Sequence, residues 1–403
     1  MLLTFEQALA IVKEKLSEAC PDPAAEALPL SQVQCRVLAE DIAADRNYPP
    51  FDRSTRDGYA VRCADLHVVP TTLECLGEVR AGEHFAGAVG AGQCVQIMTG
   101  APLPAGADAV VMVEYVRGES SRPEVTRAVG PFENVVRQGS ETAMGSVVLR
   151  RGQRLGASEI GLLASVGRAQ VRVFRQPRVA ILPTGDEIVP FDQPPGPFQI
   201  RNSNAVTLAA QVAAAGGVPR QLGIARDDKE ALRRLIQEGL ESDLLLLSGG
   251  VSVGKYDFVG QVLGEMGGEF FVHGVAMRPG KPLVFGHLQQ RFFFGLPGNP
   301  VSTYVTFALF VRPAIGMLGG AEFEPAVFLR ARLGKPHRQK LGLTMFVPAG
   351  VETRDGEPVV NVVEWQGSGD LVGVAAANCF LVVHPDQMNL AAGEWVDVLP
   401  KGQ

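Results

Sequence analysis

This sequence predicts a multidomain α/β plus β protein, built on one central α/β domain with a mostly parallel sheet. Three observations carry the prediction. From Pro177 to Leu318, strand–loop–helix texture repeats, as a parallel sheet with crossover helices requires. Within it, Leu244–Leu247 is wholly apolar, as expected of a parallel strand buried on both faces. From Phe51 to about Gly139, and again after Pro325, short apolar runs are broken by glycine and proline, which is β texture. The chain has 403 residues, room for two to four domains at roughly 100–200 residues each.

In chain order, residues 4–19 read as an amphipathic helix with Thr4 as N-cap and Phe5, Leu9, Val12 and Leu16 on one face. Pro21 and Pro23 end it, and residues 31–45 form a short unit closed by Pro49-Pro50. Strands follow at Tyr59–Val61, Cys94–Met98 and Ala109–Val116, and a helix at Ser158–Val166. In the α/β segment, strands are read at Val179–Leu182, Gln221–Ala225, Leu244–Leu247 and Phe292–Leu296. Ser203 caps a helix reaching Ala215, Asp227 or Asp228 caps the next, and a helix runs from Pro300 to about Leu318. Runs at Phe328–Leu333, Val359–Val363 and Cys379–Val383 close the chain as a small β domain. The resulting division is a discontinuous linking domain of small helical and mixed character (1–45 and 140–173), an inserted β-rich domain (46–139), the α/β domain (174–325) and the C-terminal β domain (326–403).

Composition narrows the function classes. With 37 Lys+Arg against 43 Asp+Glu, the net charge of −6 disfavours nucleic-acid or anionic-membrane binding, which needs excess cations. Cys20, Cys35, Cys63, Cys75, Cys94 and Cys379 form no C-x-x-C pair, and scattered thiols suit a reducing, cytoplasmic setting. Glu6, Lys13, Glu14 and Lys15 interrupt any leader-like run, and no stretch of ~18 apolar residues is read as a membrane span. The sequence has no G-x-x-x-x-G-K-[ST], no G-x-G-x-x-G after the first strand and no G-x-S-x-G.

Chemistry is expected where loops leave the carboxyl ends of the parallel strands. Three loops qualify: Pro183-Thr184-Gly185-Asp186-Glu187; Ser248-Gly249-Gly250-Val251-Ser252-Val253-Gly254, leading to Asp257; and Pro297-Gly298-Asn299-Pro300. Each alone also reads as an ordinary turn. Together they have the build of a phosphate or oxyanion site, with glycines that bring backbone N–H groups close and two helix N-termini behind them. Asp186, Glu187 and Asp257 would share that rim, as a hard cation such as Mg²⁺ requires, although Asp257 also reads as a cap and Glu187 as a solvated side chain. Arg278 and Lys281 in R-P-G-K supply positive charge. The inserted domain holds Asp57 in D-R-S-T-R-D-G-Y-A-V and Thr99 in M-T-G-A-P-L-P; Asp57-Gly58 also reads as a tight turn.

These segments, with G-L-P-G-N-P-V-S, occur in an order that resembles the molybdopterin molybdenumtransferases, the family that includes the E domain of gephyrin. The resemblance covers nearly the whole chain. It implies an α/β domain like that of the molybdopterin adenylyltransferases and an elongated homodimer. The site would lie between the α/β domain of one copy and the inserted domain of the other. The implied substrates are adenylylated molybdopterin and molybdate (tungstate is possible), with Mg²⁺ assisting and molybdenum cofactor and AMP as products. By resemblance, Asp57, Thr99, Glu187 and Asp257 act in catalysis, and Asp186, Glu187 and Asp257 hold metal. Substrate would be held by Arg137, Glu141, Thr184, Gly185, Asp227, Ser248, Gly249, Gly250, Ser252, Gly254, Arg278, Lys281, Pro297, Gly298, Asn299, Ser302 and Ser368. The preceding adenylyltransferase and the recipient molybdoenzymes are implied as contacts. The sequence departs from the family pattern at Gly274 and Arg278, where many members carry two lysines. It departs again over Phe346–Gly350, where an arginine is usual. Two alternatives follow: the adenylyltransferase reaction with ATP as donor, and a paralogue that binds the cofactor without turnover.

Overall fold

The computed structural model describes residues 2–19, 23–250 and 258–402. Its centre is a six-stranded sheet. Four strands run parallel in the order Val218–Gln221, Arg178–Pro183, Leu244–Ser248 and Arg291–Leu296. An antiparallel edge of Val284–Leu288 and Glu269–His273 completes it. Leu244, Leu245, Leu246 and Leu247 are all fully buried, and alternate ones join the apolar layers on opposite faces of the sheet. The mostly parallel sheet follows from that two-sided burial.

Helix ends depart from the sequence reading by a residue or so. The cap of helix Ser203–Ala214 is Asn202, whose side chain accepts from the Ala205 N–H at 3.1 Å. Asp228, not Asp227, caps Lys229–Gly239 by accepting from the Ala231 N–H at 2.7 Å. The strand expected at Gln221–Ala225 lies at Val218–Gln221, because Ala225 instead bridges Thr184 beyond the strand end.

Residues 300–318 form one helix with a π turn at Phe307–Val311. Its mean hydropathy of 1.4 makes it long and apolar enough to cross a membrane, so the expectation of no such stretch does not hold. Burial explains the composition: two-thirds of the segment is inside, and Val301, Val305, Phe310 and Ile315 belong to the central core. A helix apolar on several faces is a core helix when both sides are covered.

The N-terminal helix Phe5–Ala19 is closed at its start by Thr4 and Gln7, which exchange side-chain-to-backbone hydrogen bonds at 2.9 and 3.2 Å. Its face of Phe5, Ala8, Val12 and Leu16 packs into the α/β core, with Phe5 edge-on to Phe310, Phe328 and Phe346. Residues 1–45 therefore do not pack as one unit. Ala25–Pro29 and Ile42–Ala43 pair instead with Gln170–Phe174 and Val147–Leu149 around a separate core.

Residues 53–136 hold a four-stranded sheet (Glu74–Val79, Gln93–Ile97, Gly58–Val61, Ala109–Met112) and a small three-stranded one. In the C-terminal region, Thr344–Arg354 pairs with both Glu357–Val362 and Cys379–Val383, closing five strands into a barrel. A sixth strand, Met277–Arg278 from the α/β segment, pairs alongside Thr344–Arg354.

Candidate functional site

The three loops meet at one corner. The Thr184 N–H donates to the Ser248 carbonyl at 2.9 Å, and the Gly249 N–H to the Leu296 carbonyl at 3.1 Å. Gly249 and Gly250 have φ of +95° and +64°. A Cβ on Gly249 would stand 2.6 Å from the Thr184 carbonyl oxygen, and one on Gly250 2.8 Å from Thr184 Oγ1. Only glycine fits both the dihedral and the space. Gly298 lies against Gly249, and Asn204 ties the corner by donating to Ser248 Oγ at 3.0 Å and the Gly298 carbonyl at 2.8 Å. Asn204 was not singled out in the sequence. It sits on the helix after the Asn202 cap, and only the fold brings it to the loops.

Thr184 is buried, yet its Oγ1 has no hydrogen-bond partner among the described residues. A buried hydroxyl without a partner is costly, and here it lies close against Gly249 and Gly250. Pro297–Pro300 extends the corner to the last domain: Asn299 Nδ2 donates to Ser368 Oγ at 2.9 Å, and the Val301 N–H to the Ser368 carbonyl at 3.0 Å. Ser302 is buried beneath the start of that helix.

Carboxylates gather on the neighbouring loop. Glu187 folds back over Gly185, within 2.5 Å of where a Cβ would be. Asp186 Oδ1 accepts the Asp227 N–H at 3.2 Å, and Arg226 donates to the Asp186 carbonyl at 2.7 Å. Burial, and then the charges of Asp186 and Glu187, push the Asp227 carboxyl above its usual range. Ser252, Gly254 and Asp257 lie outside the described residues. Among the described residues, no three Asp, Glu, His or Cys side chains converge on a point where an ion would sit. Mg²⁺ nevertheless asks for only one or two protein carboxylates, its other positions going to water and phosphate. The hard-oxygen pair Asp186 and Glu187, beside a crowded Asp227, fits that demand.

Cations lie past the antiparallel edge. Arg278 and Lys281 are exposed and form no ion pair with another described residue. At Gly274, φ is +88° and a Cβ would meet Leu2 Cδ2 at 2.7 Å, while Leu3 bridges Val275. The N-terminal segment thus occupies the space a side chain at 274 would use. Gly350, by contrast, faces open space.

The inserted domain holds a second cluster. Asp57 Oδ1 accepts both the Thr99 N–H and the Thr99 hydroxyl at 2.7 Å, and these bonds hold its carboxyl below the usual range. Gly58 begins a strand rather than a tight turn. A Cβ there would lie 1.9 Å from the Val111 carbonyl oxygen. Glu141 accepts from Arg53 at 3.1 Å, and the Arg137 guanidinium stacks 4.3 Å over the Phe132 ring. Among the described residues, no hydrogen bond or ion pair joins this cluster to the three-loop corner.

Fold and site together define a multidomain protein whose α/β domain brings three glycine-bearing loops to one corner. The profile of the MoeA N-terminal region (domain I and II) matches residues 3–167, that of a probable molybdopterin binding domain 180–316, and that of the MoeA C-terminal region (domain IV) 330–401. The chain is 36% identical to the molybdopterin molybdenumtransferase of Haemophilus influenzae, over 99% of this chain and 98% of that one. It is also 36% identical to that of Bacillus subtilis, over 90% and 87%. Two structures of the molybdopterin biosynthesis MoeA protein of Pyrococcus horikoshii superpose with TM-scores of 0.80 and 0.76. Their identities are 29% and 33%, and each comparison covers at least 99% of both chains. The chain belongs to the molybdopterin molybdenumtransferase family.

Proposed function

We propose that this protein inserts molybdenum into molybdopterin, taking adenylylated molybdopterin and molybdate and releasing molybdenum cofactor and AMP. The observation that carries the proposal is the corner itself: Gly249 and Gly250 packed without room for side chains beside the unpartnered Thr184 hydroxyl, with Gly298 against Gly249. Backbone donors at such a corner suit a phosphate or molybdate oxyanion.

The phosphoanhydride of the substrate would lie over this corner, its charge met by backbone N–H groups and by Lys281 and Arg278. Asp186 and Glu187 would hold Mg²⁺. When bound, Mg²⁺ neutralises charge developing on phosphate oxygens. Asp57, kept ionised by its two bonds from Thr99, would act as an acceptor for a proton or a substrate donor. Arg137, Glu141 and Ser368 would bind at the margins. Among the described residues of one chain no bond joins the Asp57 cluster to the corner, and a second copy would bring its Asp57 and Thr99 to this corner in a two-fold homodimer.

The test is a single turnover with adenylylated molybdopterin, Mg²⁺ and molybdate, following AMP release and metal retained on the pterin. Molybdate-dependent AMP release supports the reading, and repeating the assay with tungstate defines the ion. The departure at Gly274 favours one second reading, a carrier that binds the pterin without turnover, because Leu2 fills the place of a side chain. Tight pterin binding with no AMP released would select it.

A further inference from the structure

A cavity of about 320 Å³ opens on the sheet face covered by helix Phe258–Glu265, beside the glycine corner. It is lined by Val259, Gly260, Gln261 and Leu263 from that helix, and by Phe270, His273, Val284 and Gly295 from the sheet. Its size lies within the range of small-ligand sites. Two links place it at the candidate site. Gly295 stands one residue before the end of the strand that feeds the third loop. Val259, in the cavity wall, is the residue a Cβ on Gly250 would strike at 2.7 Å.

The cavity owes its aromatic wall to a β-bulge. In the pairing of Glu269–His273 with Val284–Leu288, Phe270 faces Gly286 and His273 faces Val284, with the register shifting between Phe270 and Val272. On a regular strand, residues three apart point to opposite faces. The extra residue, Phe271, reverses the alternation, so Phe270 and His273 stand on the same side. Their rings lie 28° from parallel with centroids 6.4 Å apart. Phe270 is held edge-on by Phe293 at 5.6 Å, with a third of its surface still exposed. Among the described residues, no Asp, Glu, Lys or Arg lines the cavity, and Gln261 offers one amide, donor and acceptor together.

We infer that this cavity is the subsite for the fused nitrogen heterocycle of the substrate: an uncharged, flat ring system stacked on Phe270 and His273, with its polar edge read by Gln261. Purine and pteridine share that chemistry, and the charged groups of either ligand would extend from the ring to the glycine corner. The inference rests on the proposed function for the identity of the ligand, but its test uses rings that carry no phosphate.

Adenosine and unsubstituted pterin are titrated separately into the full-length protein by calorimetry, alongside Phe270→Ala, Phe270→Trp and Gln261→Ala. Stacking on an aromatic side chain is lost with the ring and kept by another ring. The expected result is that one of the two probes binds, that Phe270→Ala weakens it about tenfold or more, and that Phe270→Trp retains it. Gln261→Ala should weaken it less. Circular dichroism shows whether each variant is folded. Binding of adenosine alone assigns the subsite to the purine, and binding of pterin alone to the pteridine. If neither probe binds, or if binding is the same in Phe270→Ala as in wild type, the inference is overturned. Molybdate-dependent AMP release by that same wild-type protein would leave the proposed function standing. Absence of AMP release with ring binding intact would remove the proposed function and leave the subsite.

Discussion

Gly249→Ala tests whether the corner is built by close backbone approach. At φ +95°, an alanine is in a region that L-residues avoid, at a cost of about 1–2 kcal/mol from the dihedral alone. Its Cβ would also meet the Thr184 carbonyl oxygen at 2.6 Å, a backbone atom that cannot swing aside. Overpacking of that kind adds about 1–3 kcal/mol. The strain falls on two hydrogen bonds: Thr184 N–H to Ser248 and Gly249 N–H to Leu296. Hydrogen exchange read on peptides spanning 183–185 and 248–250 should therefore speed up by roughly 5–30-fold from the dihedral cost alone. Gly298→Ala is the control: a Cβ there finds only Gly249 Cα, at an ordinary 3.6 Å, so exchange should be unchanged. AMP release should fall in Gly249→Ala, because displacing Thr184 and Gly249 shifts the loops proposed to hold the substrate. Wild-type exchange and wild-type turnover in Gly249→Ala would refute the account of the corner.

Three further outcomes are expected. Thr99→Val removes one of the two bonds that depress the Asp57 carboxyl, so the acid limb of the activity–pH profile should move to higher pH; an unmoved limb would exclude Asp57 as the group that sets it. Asp227 is the opposite case. Its raised carboxyl holds a proton more tightly folded than unfolded, so it lowers stability as pH rises from the usual carboxylate range through the raised value. Asp227→Asn should therefore be more stable than wild type at pH 7 but not at pH 3, as read by thermal unfolding. An equal difference at both pH values would contradict that sign. Finally, Asp57→Ala and Glu187→Ala copies, each inactive alone, should recover about a quarter of wild-type activity when co-expressed, since half the dimers would be mixed and one of their two sites intact. No recovery would place both residues in one chain's site.

The strands of the α/β domain were legible because burial on both faces leaves a one-dimensional mark. Leu244–Leu247 can be nothing but interior, and Ser248-Gly249-Gly250 must then leave the sheet. The glycine loops were legible for a similar reason, since a backbone that needs positive φ restricts the residue locally. The antiparallel edge was not read. Glu269–His273 and Val284–Leu288 carry a bulge, and a bulge breaks the period on which such reading depends. The helix at 300–318 and the helix at Phe5–Ala19 were read, but not how deeply the first is buried or where the second packs. Both depend on which element covers which face.

By itself the sequence determined the order of the motifs, the apolar strands and the residue types available to bind an oxyanion. Tertiary structure decided their company. It seated Asn204 between Ser248 and Gly298, and it left Asp227 facing two carboxylates by giving the helix cap to Asp228. It set Leu2 against Gly274 and turned His273 to the side of Phe270. Local chemistry is written in neighbouring residues, whereas the contacts of Asn204 and of Leu2 join residues tens to hundreds of positions apart. They exist only once burial of the apolar faces has fixed how the elements stack.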